Sequence, residues 1–195
     1  IENGMFQFGK LAIQSSVSTL GTAAIAAQAM TVILENLNGV AAIGIGIGLT
    51  TLVGQCIGAG RKDEAEYYIK KLMFYGEIAL IASCALAYVI ARPITWIAGM
   101  EPESAKMCLY MMGWITIIKP IVWDGAFIPA YGLRAAGDVK YTMICSTLSM
   151  WLCRVALCRI LIKYFGFGPI AVWIGMFSDW AIRSILFIHR FKGDK

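Results

Sequence analysis

Long apolar runs, each ended by a short cluster of Gly, Pro or charged residues, recur along the whole chain. Breaks at 20–22, 58–62, 92–103, 134–140 and 163–168 leave six apolar segments, each near the ~20 residues that a bilayer crossing needs. The runs are continuous and rich in Ala, Leu, Ile and Met, without the ten-residue alternation of a membrane barrel, so the pattern predicts helices. The expected fold class is all-α: a polytopic membrane protein, a bundle of six transmembrane helices.

Composition excludes a water-soluble globule. Of 195 residues, 59% are hydrophobic and only 15% charged, and mean hydropathy is +0.70, far from the usual soluble balance. The net charge of +5 sits in the loops. With both termini on one side, that side collects Arg61, Lys62, Arg134, Lys140, Arg190, Lys192 and Lys195, against Arg92, Lys106 and Lys163 opposite. The positive-inside rule makes the first side cytoplasmic, giving a multi-pass protein of the cytoplasmic membrane with a cytoplasmic C-terminus. Lipid headgroups, and not nucleic acid, are the partners this charge fits. Six scattered cysteines without a C-x-x-C pair, and one histidine, His189 beside Arg190, point to neither a disulfide framework nor a metal site. No cofactor is expected. The chain opens at Ile1 inside an apolar segment, with Glu2 and Asn3 on the first turn, which reads as a first helix whose start is missing.

Against this background the informative residues are acids. Glu2, Glu35 and Asp124 lie in apolar segments, where a charge costs at least about 2.5 kcal/mol and marks a functional suspect. Asp124 stands between Pro120 and Pro129, near Lys119 and beside Trp123, Phe127 and Tyr131. Each proline removes an amide donor and loosens the backbone one turn back, so the pair brackets Asp124 with a candidate hinge; a static kink is the other reading. Glu35 continues into a polar face through Asn36 and Asn38. Lys10, Glu77, Arg154, Arg159, Asp179 and Arg183 are further charges in apolar segments. Asp179 and Arg183 have the i,i+4 spacing of an intrahelical pair, and Glu77 and Asp179 are read as paired rather than active in transport. In the glycine-rich second segment, Gly44 with Gly48 and Gly54 with Gly58 match no nucleotide loop. Small residues four apart predict close helix packing instead. No Ser/His/Asp set and no H-E-x-x-H is present, so an enzyme is not expected.

Specific runs carry a resemblance. Residues Ala26-Ala27-Gln28 through Leu34-Glu35-Asn36-Leu37, then Thr50-Thr51-Leu52-Val53-Gly54-Gln55 and Gly58-Ala59-Gly60, closely resemble the multidrug and toxic compound extrusion (MATE) family. So do Gly132-Leu133-Arg134-Ala135-Ala136-Gly137-Asp138, the opening Glu2-Asn3-Gly4-Met5-Phe6, and Gly21-Thr22-Ala23-Ala24-Ile25-Ala26-Ala27. The resemblance implies twelve helices in two pseudo-symmetric lobes, of which residues 1–195 look like the C-terminal lobe, helices seven to twelve. The N-terminal lobe is then the missing partner.

The implied activity is secondary efflux of cationic or amphipathic organic compounds in exchange for H+ or Na+, by alternating access about a central cavity. Asp124 falls within one residue of the acid that sodium-coupled members use on that helix. Their first-helix acid falls near Phe6, one turn after Glu2, which itself matches an acid of other bacterial branches; Glu35 matches a second-helix Glu. These three acids are the candidates for ion or proton coupling. A carboxyl group in an apolar cavity resists ionisation, so a proton and an organic cation compete for it. Met5, Phe6, Gln28, Met30, Asn36, Asn38, Trp123, Phe127 and Tyr131 are the candidates for the substrate cavity, whose aromatic and thioether groups accept flat cations. Two alternatives stand beside efflux. A flippase for lipid-linked oligosaccharides would enlist Lys10, Lys119, Arg154 and Arg159 for a pyrophosphate. A non-transporting scaffold would tolerate Asp124→Asn and Glu35→Gln.

Overall fold

The computed structural model describes the backbone of residues 2–193 and the side chains of residues 4, 5 and 7–191. Six helices follow one another. They are α1 (Glu2–Val17, continued by a 3-10 turn at Ser18–Leu20), α2 (Thr22–Gly58), α3 (Lys62–Ile97), α4 (Pro102–Ala135), α5 (Val139–Phe165) and α6 (Ile170–Gly193). Five of them, α2 to α6, are long and apolar enough to cross a membrane. The connections are short, and each carries one glycine at positive φ: Gly21, Gly60, Gly99, Gly137 and Gly166. Gly137 shows the reason. Its left-handed backbone turns the chain so that the Asp138 amide donates back to Leu133 O at 3.0 Å, closing the end of α4 as a Schellman-type cap does.

Helix α4 is the hub, packed on α2, α3 and α6, while α1 rests chiefly on α5. Ala27, Leu34, Ala91, Met111, Met112, Ile115 and Trp173 fill the space between α2, α3, α4 and α6. Ala42, Leu80, Cys84, Trp123, Ala126 and Trp180 continue that core along the same four helices. Ile13, Val17, Val155, Cys158 and Val172 join α1, α5 and α6. Outside, Phe8, Ile33, Val40, Phe74, Leu86, Trp96, Ile121 and Leu152 are exposed, an apolar belt suited to lipid.

Three expectations are corrected. The break expected from Arg92 comes later, because α3 runs through Pro93 to Ile97. Ala87 and Ala91 are buried there, with Ile94 packed against them, and that packing outweighs the loss of one amide donor a turn from the helix end. The glycines at spacing four do not pack: a Cβ on Gly44, Gly48, Gly54 or Gly58 would meet nothing within 4 Å. Gly39 and Gly46 make the close approaches, where a Cβ would lie 3.3 Å from Lys119 Nζ and 2.5 Å from Tyr131 Cε2. Helix α5 is also not uniformly α-helical, since Met150–Ala156 is wound as a π-helix. This segment is wedged between glycines of two neighbours. The Met150 side chain occupies the place of a Cβ on Gly9, and a Cβ on Gly175 would come 3.0 Å from Cys153 O.

Gly44 and Gly46 therefore differ although both lie mid-helix. Gly46→Ala drives a methyl into the Tyr131 ring and is expected to destabilise by about 1–3 kcal/mol. Gly44→Ala fills open space and stabilises by roughly 0.5–1 kcal/mol. Thermal unfolding of the two variants in detergent checks the opposite signs.

Candidate functional site

A cavity of about 540 Å³ opens among α1, α2, α4, α5 and α6, with no lining residue from α3. From α2 come Gln28, Val32, Glu35, Asn36 and Ile43, and from α4 Trp123, Ala126, Phe127, Ala130, Tyr131 and Arg134. The α4 contribution follows helical periodicity, since residues four apart share a face. Trp123 and Phe127 stack at 4.6 Å between ring centroids, inclined by 20°, and Trp180 of α6 meets Phe127 edge-on at 6.4 Å. Lys10 and Gln14 of α1, Ser146 and Arg154 of α5, and Met176, Trp180, Arg183 and Phe187 of α6 complete most of the wall.

Behind the wall the charges are tied in two groups. Lys119, fully buried, donates to Glu35 Oε1 at 2.5 Å, Asn38 Oδ1 at 2.5 Å and Glu35 O at 3.1 Å. Gly39 leaves the space that the ammonium enters, so one turn of α2 holds a cation offered by α4. The Glu35 side chain keeps 14% exposure and faces the cavity. In the second group Asp179, fully buried on α6, accepts from Arg183 Nε at 2.8 Å and from the Ser149 hydroxyl. Its other oxygen lies 2.9 Å from Arg154 Nε, close enough for an ion pair but without hydrogen-bond alignment. Arg183 also donates to Ser146 O at 3.0 Å. The π-helical stretch carries Arg154, placing it between Asp179 and the Trp180 ring, 5.9 Å from the ring centroid.

Asp124 lies on another side of α4. It is absent from the cavity wall and 5% exposed, and its Oδ1 occupies the space that a Cβ on Gly76 of α3 would crowd at 2.9 Å. That oxygen has no hydrogen-bond partner, and no cation pairs with Asp124 among the described residues. Glu77, next to Gly76, is the charged neighbour that acts on it. The pairing expected for Glu77 is not found among the described residues, whereas Asp179 is paired twice.

The sequence candidates therefore separate. Gln28, Glu35, Asn36, Trp123, Phe127 and Tyr131 come together on the cavity wall, with Gln28 Oε1 fixed by Trp173 Nε1 at 3.0 Å. Asn38 serves Lys119, Met30 packs against the α2–α4 core, and Met5 is exposed away from the wall. The side chains of Glu2 and Phe6 lie outside the described residues. Pro120 and Pro129 are both buried inside α4, which stays helical through them. Lys10, Arg134, Arg154 and Arg183 join the wall although none was a cavity candidate for efflux. The available signal was their position in or beside apolar segments. Lys10 and Arg154, of the four cations a flippase would enlist, line the cavity; Lys119 is spent on Glu35, and Arg159 is exposed elsewhere.

The MatE family model matches residues 1–160. The chain belongs to the MatE family. Among similar proteins, the "Probable multidrug resistance protein NorM" of Thermotoga maritima is 27% identical over 200 residues, covering all of this chain and 42% of that protein. The "FAD transporter" of Shewanella oneidensis is 29% identical over 154 residues, 78% of this chain and 33% of that protein. A "Probable multidrug resistance protein NorM" of Halalkalibacterium halodurans is 24% identical over 182 residues, 93% of this chain and 39% of that protein. The chain thus spans roughly two fifths or less of the length of these relatives. It is a MatE membrane protein with six helices among the described residues, five of them long and apolar enough to cross a membrane.

The Glu35–Lys119 tie generates a test. Lys119→Met leaves Glu35 without its cation and is expected to cost about 3–5 kcal/mol. Glu35→Gln combined with Lys119→Met recovers most of that loss, because neither charge then remains. A double-mutant cycle by thermal unfolding in detergent reads the coupling.

Proposed function

We propose that this chain is the C-terminal lobe of a twelve-helix secondary transporter, in which it forms half of a central cavity. The full protein moves amphipathic organic compounds outward across the cytoplasmic membrane in exchange for H+ or Na+. The observation that carries this reading is the two-sided use of α4: its Trp123, Phe127 and Tyr131 face forms the cavity wall, while Asp124 is buried against α3 with an unpartnered oxygen. A carboxyl group held from water takes up a proton or a small cation to offset its charge. Binding there changes how α4 packs on α3, and the same rigid helix presents the aromatic wall to the substrate. Glu35 is the second coupling group, exposed to the cavity and held by Lys119. Relatives named as a multidrug resistance protein and as an FAD transporter support transport of sizeable organic solutes. The missing N-terminal lobe supplies the opposing wall.

A second reading, a flippase for lipid-linked oligosaccharides, draws on Lys10 and Arg154 in the wall. Movement of a lipid-linked pyrophosphate, without response to soluble dyes, decides for it.

The test uses the full reading frame in everted vesicles holding a proton gradient. Addition of an amphipathic fluorescent dye is expected to collapse the gradient, or to show sodium-driven dye uptake, and Asp124→Asn is expected to abolish whichever occurs while dye binding persists. An Asp124→Asn protein that transports at the wild-type rate would remove Asp124 from the ion path.

A further inference from the structure

The charge on the cavity wall is one-sided. Among the described residues, four cationic side chains, Lys10, Arg134, Arg154 and Arg183, line it against one acid, Glu35. Directly behind the wall Lys119 neutralises Glu35, and Asp179 offsets one of the two charges of Arg154 and Arg183, which leaves a positive excess. The remaining described acids of the apolar region, Glu77 and Asp124, lie on the α3 side of α4. Trp180 Nε1 is buried at this wall without a hydrogen-bond acceptor among the described residues, and Arg154 Nε faces Asp179 Oδ2 at 2.9 Å but out of hydrogen-bond alignment. A guanidinium and indole corner beside a stacked Trp123–Phe127 pair offers flat aromatic surface and positive potential in the same place.

We propose that this wall selects planar aromatic anions, with Arg154, Arg183 and Lys10 holding the anionic group while Trp123, Phe127 and Trp180 receive the rings. This deepens the transport reading and rests on it. Cations sharpen the contrast, because in a low-dielectric cavity an excess of like charge repels the small organic cations that the family resemblance implies. Glu35 does not reverse the balance, since Lys119 neutralises it at 2.5 Å. Asp179 orients both Arg154 and Arg183 toward one site.

The full-length transporter in proteoliposomes is titrated with two dyes of the same xanthene ring size, dianionic fluorescein and a cationic rhodamine, in mildly alkaline buffer. Fluorescein is expected to bind at least about tenfold more tightly, with affinity falling as salt rises. Arg154→Gln disturbs the Asp179 group and its folding, so Lys10→Gln is the decisive variant: Lys10 is exposed and makes no ion pair among the described residues. It is expected to weaken fluorescein several-fold and leave rhodamine unchanged or tighter, while Lys10→Arg retains wild-type affinity. Tighter binding of rhodamine, equal binding, binding of neither dye, or fluorescein affinity indifferent to Lys10→Gln would each overturn the inference. Fluorescein bound as expected but never moved by a proton or sodium gradient would overturn the transport reading and leave the anion site standing.

Discussion

A charge placed among apolar helices is costly unless a counter-charge inside the bundle meets it, because the bilayer core offers no water to satisfy it. Lys119 meets this demand most fully. Its ammonium is completely buried, and three oxygens from a single turn of α2 receive it. That tie sets how α2 and α4 face one another, and with Gly39 it sets how closely they approach. Asp179 does the same for the other half, drawing Arg154 of α5 and Arg183 of its own helix α6 to one point. Pairs of this kind give weak evidence of net stability, since desolvation offsets much of the attraction. Their main effect is geometric: they fix which faces of the helices remain for the cavity.

Helix α4 shows how much follows from that choice. With Lys119 directed to α2, the helical period turns Trp123, Phe127 and Tyr131 to the cavity, Asp124 to α3 and Gly125 to α6, where Ser184 fills the space beside it. One stretch of a single helix thereby touches three environments. The helix is continuous through both prolines, so one unbroken element carries both the carboxylate packed on α3 and the aromatic wall. The π-helical segment of α5 plays a comparable positioning role. A π turn holds an extra residue and shifts side chains around the axis, and here it delivers Arg154 to Asp179 while Gly175 of α6 closes over its backbone and Gly9 of α1 over the Met150 side chain.

The sequence by itself determined the helical membrane class, the six segments and most of their ends, because apolar run length and glycine-bearing breaks are local properties that the bilayer enforces. It also marked Glu35, Asp124, Trp123, Phe127 and Tyr131 as residues of interest, through the cost of burying acids and the four-residue period of a helix. What only the tertiary structure decided is which of these meet. Spacing put Gly44 with Gly48 on a packing face, but the ties at Lys119 rotated Gly39 and Gly46 to the contact instead. Pro93 reads locally as a break, yet packing at Ala91 carries α3 past it. Nothing local announces the π-helix, which arises from contacts with two other helices. The sign of the cavity's charge was equally hidden, because Lys10, Arg134, Arg154 and Arg183 stand on four different helices and share a wall only when α1, α4, α5 and α6 converge.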